Sequence, residues 1–438
     1  MLRSVLPVLF LTRLGKLSMC ASARSVARSV SMLGIALCGS TILVGCGGAT
    51  SSAPPATSGT TTVAVASGRV NYVAGPSLTS DIAHPRGVVV ADFNGDGNAD
   101  IAVSNFDTNS VAVFLNDGSG NFGTPIVTPV QLTSSLGLNV GPLVVGDFNE
   151  DGKPDLVVST IAGRQVSIVL LGNGDGTFRQ QAPIANSFGF IRAKVVDLNG
   201  DGHQDLVSAM DGSLGVSLGD GDGTFAGMTV LPSASSPGIY FGLSVADFNG
   251  DGKLDIAATD SGFATGGFGT LVFYPGKGDG TFSSPTAVTL AIASFPGSLA
   301  NGDFNGDGKE DVVTGFPNVA LIAFGNGDGT FNVAQNSLES VYGTNFSPTT
   351  NSVTVFAADL LNAGKSDVVT SDFNTGTLQI ALNTALGQTP PSPGIFSFTL
   401  APGLADIAVG DLNGDGVLDV VVINNQTSEA NIVLSKLP

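Results

Sequence analysis

Short apolar runs rich in Val, Ile and Phe, broken by Gly, Asn and Asp, recur along most of the chain. In the span 87–129, GVVVADF, DIAVSN, SVAVFLN and FGTPIVTP follow one another between polar turns. Runs of this kind predict β-strands, and no helical period appears outside the N-terminal segment. Two polar signatures punctuate them. The first, Asp-x-Asn-x-Asp-Gly-x-x-Asp, reads DFNGDGNAD at 92–100, DFNEDGKPD at 147–155, DLNGDGHQD at 197–205, DFNGDGKLD at 247–255, DFNGDGKED at 303–311 and DLNGDGVLD at 411–419. A damaged copy, DLLNAGKSD, fills 359–367, so the first Asp recurs every 50–56 residues. The second is a Gly/Asp turn ending in Phe, as in GNGDGTF at 172–178 and 325–331. Asp-Gly between apolar runs marks a hairpin. Each period therefore holds four antiparallel strands, one propeller blade, and seven periods predict an all-β, seven-bladed β-propeller.

The two ends of the chain supply complementary pieces. The last period stops after its third run, ANIVLSKLP, while RVNYVAGPSLTS at 69–80 precedes the first complete period. Pairing them predicts a ring closed by the N-terminal strand, with no open sheet edge at the join.

The first 45 residues read differently. They hold five basic residues (Arg3, Arg13, Lys16, Arg24 and Arg28), no acidic ones, and an apolar run ending in Leu43-Val44-Gly45-Cys46. A basic start, a short apolar stretch and small residues before a cleavage point describe a secretory signal. The run is shorter than the ~20 apolar residues of a membrane span. Leu-Val-Gly-Cys resembles the bacterial lipobox, which implies a lipidated Cys46 at the mature N-terminus. The expected organisation is a lipoprotein signal at 1–45, a Gly/Ser/Thr/Pro tether at 46–67 and a propeller at 68–438. The expected address is exported, at an outer membrane or cell surface, with the lipid as sole membrane contact. All three cysteines (Cys20, Cys38 and Cys46) lie at or before the junction, leaving the body without disulfides or thiolate chemistry.

Charge narrows the chemistry. With 36 acidic against 17 basic residues the chain carries −19, a poor partner for a phosphate backbone, so no nucleic acid is expected. In a tight loop, side chains at positions 1, 3 and 5 turn inward with the carbonyl of position 7, and a later carboxylate closes an oxygen shell of the kind Ca²⁺ prefers. The candidate side-chain ligands are Asp92, Asn94, Asp96 and Asp100; Asp147, Asn149, Asp151 and Asp155; Asp197, Asn199, Asp201 and Asp205; Asp247, Asn249, Asp251 and Asp255; Asp303, Asn305, Asp307 and Asp311; and Asp411, Asn413, Asp415 and Asp419. Position 7 is Asn98, Lys153, His203, Lys253, Lys309 or Val417, a spread expected where only the carbonyl binds. In the damaged copy Leu361 and Ala363 replace the oxygens of positions 3 and 5. Six structural calcium sites are expected, with loops that loosen when metal is absent.

These units resemble the FG-GAP/VCBS repeats of integrin α-chain propellers and of bacterial exported proteins, over roughly 68–438. The resemblance implies a seven-bladed propeller with calcium between the first and second strands of a blade, and no single ligand. Catalytic motifs are missing, and His84 and His203 are poor candidates for catalysis, so no enzyme is expected. A monomeric surface module binding a protein or glycan is the leading reading, ahead of an envelope scaffold and of a polysaccharide hydrolase or lyase. Calcium loops and Phe turns should share one face. Loops of the opposite face supply Arg86, Phe190, Arg192, Tyr240, Phe263, Tyr342 and Phe346 as candidate ligand contacts.

Lipidation at Cys46 has a direct test. Cys46→Ser should move the chain from the membrane to the soluble fraction; retention in membranes with residues 1–45 uncleaved would identify an anchor instead.

Overall fold

The computed structural model describes residues 61–62, 70–132, 139–161, 165–210, 212–233, 240–260, 269–290, 297–316, 319–333, 353–383 and 394–437. Seven antiparallel sheets follow one another along the chain. Blade 1 is built from Pro85–Ala91, Asp100–Asn105, Ser110–Phe114 and Ile126–Pro129, each strand paired with the next. Blades 2 to 6 repeat this order, starting at Asn139, Arg192, Tyr240, Leu299 and Val353. First strands of successive blades touch all the way round, and the first strand of blade 7, Leu404–Gly410, touches that of blade 1. The ring is closed.

Burial explains the unbroken apolar runs. Second and third strands such as Asp100–Asn105 and Ser110–Phe114 are buried at every position, because each blade packs on a neighbour on both faces. The outer strand Ile126–Pro129 alternates between half-buried and exposed. The core is accordingly divided into seven apolar clusters, one at each junction between neighbouring blades.

Closure follows the expected exchange of strands. Asn71–Leu78 lies antiparallel to Glu429–Lys436, from the pair Asn71 with Lys436 to Leu78 with Ala430, and completes blade 7 as its outer strand. Tyr72 anchors it: the ring is fully buried, packs edge-on against Phe396 of blade 6 at 5.2 Å, and its hydroxyl donates to the Leu418 carbonyl at 3.0 Å. Within the stretch read as tether, Thr61–Thr62 pair with the outer strand of blade 6 through Ser397 and Phe396.

Removing that anchor should open the ring. Tyr72→Ala is expected to lower unfolding free energy by about 3–5 kcal/mol in a denaturant titration. A loss below about 1 kcal/mol would mean the closing strand contributes little to stability.

Candidate functional site

The nine-residue loops join first to second strands, and each folds around its own carboxylates. In blade 1, Asp92 Oδ1 accepts from the amides of Gly95 (2.7 Å) and Asp96 (3.1 Å), and Oδ2 from Gly97 (2.8 Å). Asn94 Oδ1 accepts from Asp96 N at 3.0 Å and Asp96 Oδ1 from Asn98 N at 2.8 Å. Asp147, Asp197, Asp247, Asp303 and Asp411 hold the position-6 amide in the same way. That position is Gly because its φ lies between 79° and 92° in the six intact loops, a region that L side chains avoid.

Position 9 has a role the spacing did not reveal. Asp100 is fully buried; its Oδ2 accepts from Phe93 N at 2.9 Å and its Oδ1 from Asn116 N, just past the third strand, at 2.8 Å. Asp155, Asp205, Asp255, Asp311, Asp367 and Asp419 each make the same two bonds, to position 2 of their loop and to the end of the third strand. The carboxylate expected to close a metal shell thus clamps the blade. Burial pushes the carboxyls of Asp100, Asp155, Asp311 and Asp419 up to about 6, and negative charge in the same loop adds to the rise. The accepted amide bonds pull the other way.

The damaged loop is an internal control. Asp359 still holds the amides of Ala363 (2.7 Å) and Gly364 (2.6 Å), and Asp367 still holds Leu360 and Asn383. Positions 1 and 9 therefore carry the loop's shape without oxygens at 3 and 5. In every blade the carboxylate of position 1 accepts from the position-6 amide.

As a donor set, each intact loop presents three carboxylates, an amide oxygen and a carbonyl, all hard oxygens suited to Ca²⁺. Among the described residues no three acidic or imidazole groups form a metal cluster on their own, so a full shell draws on the amide and carbonyl as well. Positions 3 and 9 do meet, with Asn249 Nδ2 3.2 Å from Asp255 Oδ1. The position-7 side chains stay outside the loop. Lys153 and Lys253 reach the position-5 carboxylates Asp151 and Asp251 at 3.3 Å, and Lys309 reaches Asp307 at 3.7 Å, all on the surface. His203 pairs with Glu150 of the preceding blade, which raises the imidazole above its ordinary range.

The loops also latch neighbouring blades together. The Phe93 carbonyl accepts from Gly176 N of blade 2 at 3.0 Å, Phe148 from Gly223 of blade 3 at 2.8 Å, and Phe248 from Gly329 of blade 5 at 3.1 Å. The matching rings, Phe93–Phe178, Phe148–Phe225 and Phe248–Phe331, meet edge-on at 5.3–5.8 Å. Asn383 Nδ2 and Asn116 Nδ2 serve the carbonyls of Phe304 and Leu412 instead. The two sequence signatures are thus the halves of one inter-blade joint on a shared face.

The opposite face corrects part of the ligand set. Phe190 (1 % exposed) and Tyr240 (0 %) are core residues, and the Tyr240 hydroxyl bonds those of Tyr274 at 3.0 Å and Ser233 at 3.2 Å. Aligning the periods on their first Asp would have shown this, since both fall in the column of Val140 and Leu404. Phe188, two residues earlier, is the exposed ring. Arg86 lies over the Phe106 ring at 4.8 Å, and Arg192 Nη1 donates to the Ile191 carbonyl at 3.2 Å. Phe263, Tyr342, Phe346 and Cys46 lie outside the described residues.

Comparison with known proteins agrees with the loop geometry. A family model described as "FG-GAP-like repeat" matches residues 92–158, 197–258, 263–314, 303–370 and 359–422, well over half the chain. Integrin alpha-PS5 of Drosophila melanogaster is 31 % identical over 30 % of this chain, and human integrin alpha-7 is 33 % identical over 30 %. The matches span only 15 % and 12 % of those relatives. A solved lectin of Agrocybe aegerita, described as recognising non-reducing terminal N-acetylglucosamine, covers 78 % of this chain and 85 % of its own at TM-score 0.51 and 20 % identity. The structure of BBS1N in complex with ARL6DN covers 84 % and 94 % at TM-score 0.50 and 14 % identity. At these identities the two structures share the fold alone.

The buried clamp of blade 6 predicts a pH effect. Burial pushes Asp367 up to about 7, whereas an unfolded Asp titrates near ~3.9. The folded state holds the proton between these values, so stability falls as pH rises through that window. Asp367→Asn lacks this loss, and its stability relative to the parent should improve by about 2–3 kcal/mol between pH 5 and pH 8 in paired denaturant titrations. A pH-independent difference would place the clamp's carboxyl in the ordinary range.

Proposed function

The chain belongs to the FG-GAP-like repeat family, and from that premise we propose that it is a calcium-binding propeller serving as a surface binding module for a protein or glycan. The observation that carries this reading is the repetition of one oxygen-rich loop in six blades on one face of a closed ring. Partial identity to integrin α-chains supports a binding role over an enzymatic one. Calcium would be held by Asp, Asn, Asp and Asp at positions 1, 3, 5 and 9 with the carbonyl of position 7, and would neutralise the loop carboxylates whose charge adds to the effect of burial at position 9. The damaged loop of blade 6 would bind none. The metal would supply stability to a body without cysteines and leave recognition to the loops of the other face. Export as a lipoprotein through Cys46 belongs to the same proposal, with the module held at the cell surface by its lipid.

At the weak affinities of extracellular modules, each site held at ten times its Kd stabilises by about 1.4 kcal/mol. EDTA should therefore lower the melting temperature of the 47–438 fragment by roughly 10 °C. Metal analysis should return about six calcium ions per chain, matching the intact loops. An unchanged melt with no metal in the purified protein would rule the calcium reading out. The same fragment, loaded with calcium and presented to a glycan array and to purified envelope proteins, should bind one class saturably. Turnover of a polysaccharide without such binding would make it an enzyme.

A further inference from the structure

The outer strands of the blades form the rim of the ring, and all but one are poor templates for a further strand. An outer strand exposes unpaired N–H and C=O groups, which short length, Pro, charge or a bulge ordinarily blunts. Ile126–Pro129 of blade 1 ends in Pro129, and Phe178–Pro183 of blade 2 carries Arg179 and Pro183. Thr229–Val230 of blade 3 and Phe331–Val333 of blade 5 are only two and three residues long. Thr286–Thr289 of blade 4 follows Pro285 directly. Asn71–Leu78 of blade 7 shifts register between Ala74 and Ser77, around Gly75 and Pro76.

Blade 6 has none of these devices. Its outer strand, Gly394–Thr399, reads GIFSFT, without charge or Pro, and pairs along its whole length with Thr377–Leu382. Its side chains are already committed to the blade. Ile395 packs into the cluster shared with blade 5, and Phe396 and Phe398 into the one shared with blade 7. Ser397 Oγ accepts from Gln379 Nε2 at 3.1 Å. What remains for recognition is the outward main chain. Among the described residues blade 6 is also the one sheet with a fifth strand: Thr61 pairs with Ser397 and Thr62 with Phe396, antiparallel.

The N-terminal segment suits that edge. Strand addition draws its affinity from main-chain hydrogen bonds. Residues 60–66 read TTTVAVA, β-branched or small, with no charge, Gly or Pro. The same chain enters the closing strand of blade 7 at Asn71, so the covalent link through 63–70 keeps the segment beside blade 6 at an effective concentration of millimolar order. A second copy at micromolar concentration competes poorly with it.

We propose that the outer edge of blade 6 is a strand-addition site for one extended, uncharged, β-branched peptide segment, and that its resident occupant is the chain's own N-terminal segment at Thr61–Thr62, docked in cis. The occupied edge is closed to other chains; a vacated one accepts the same kind of segment in trans. The site is separate from the calcium loops and stands whether or not they bind metal.

A compact unit spans Leu43–Pro438, so the 47–438 fragment keeps both ring and segment, and it contains no cysteine. Thr61→Cys with Ser397→Cys puts one thiol pair across the two strands, at a Cα spacing that a disulfide accepts. Mild oxidation should bridge most chains internally, read as loss of free thiol in a species that stays monomeric on a non-reducing gel. A covalent dimer would put a second copy's segment on the edge, and persistent free thiols would leave the edge without this occupant; either overturns the proposal. Thr61→Pro with Thr62→Pro removes both amide donors and should vacate the edge. A fluorescent peptide of residues 57–66 should then bind that variant saturably, at least about tenfold more tightly than the parent fragment. This arm carries the test if the cysteine pair disturbs folding. Equal binding to variant and parent, or binding to neither, would overturn the proposal as well.

Discussion

A buried carboxylate with two amide donors holds each blade together. The Asp at position 9 ties the start of its loop to the end of the third strand, in all seven blades including the one whose loop is degraded. An ionised group inside a sheet is expensive unless its oxygens are satisfied. Here each oxygen has a backbone partner, and burial and loop charge still lift the carboxyl. The clamp is therefore strong in geometry and sensitive to protonation. Blade 6 shows which constraint is indispensable: it lost the oxygens at positions 3 and 5 and kept those at 1 and 9.

From that clamp the joint between blades follows. Fixing the amide of position 2 sets its carbonyl and its Phe or Leu side chain toward the next blade, where the Gly-Asp-Gly turn delivers an amide and a second Phe. The glycines allow the close approach: a Cβ on Gly176 would come within 2.9 Å of Ile126. Where the turn lacks that form, as in blades 1 and 6, an Asn side chain donates instead. The apolar clusters lie directly beneath these joints, so polar latch and hydrophobic core act on the same interface. Tyr72 adds the equivalent anchor at the ring's closure.

The two faces thereby divide their labour. One is built from near-identical loops and turns committed to architecture and to the proposed metal. The other carries irregular connections, and the first strands hold charged residues that no repeat rule places. Arg192, Lys194 and Asp406 interrupt columns that are uncharged in every other blade, which is where individuality enters an otherwise periodic molecule.

The sequence by itself determined the blade count, the strand order and the exchange of strands at closure, because repeat spacing, Asp-Gly turns and the complementary ends are local or periodic signals. Positions 1, 3, 5 and 6 of the loops were legible for the same reason: they act within nine residues of one another. The tertiary structure alone decided what lies between periods. It gave position 9 its clamp, since the third-strand amide is 14 to 21 residues away, and it joined the loop Phe to the turn Phe of the next blade. It also brought the Asn116 and Asn383 amides to carbonyls of neighbouring blades, 296 and 79 positions away in the chain. Such pairings follow from ring closure, which brings together side chains that no local pattern relates.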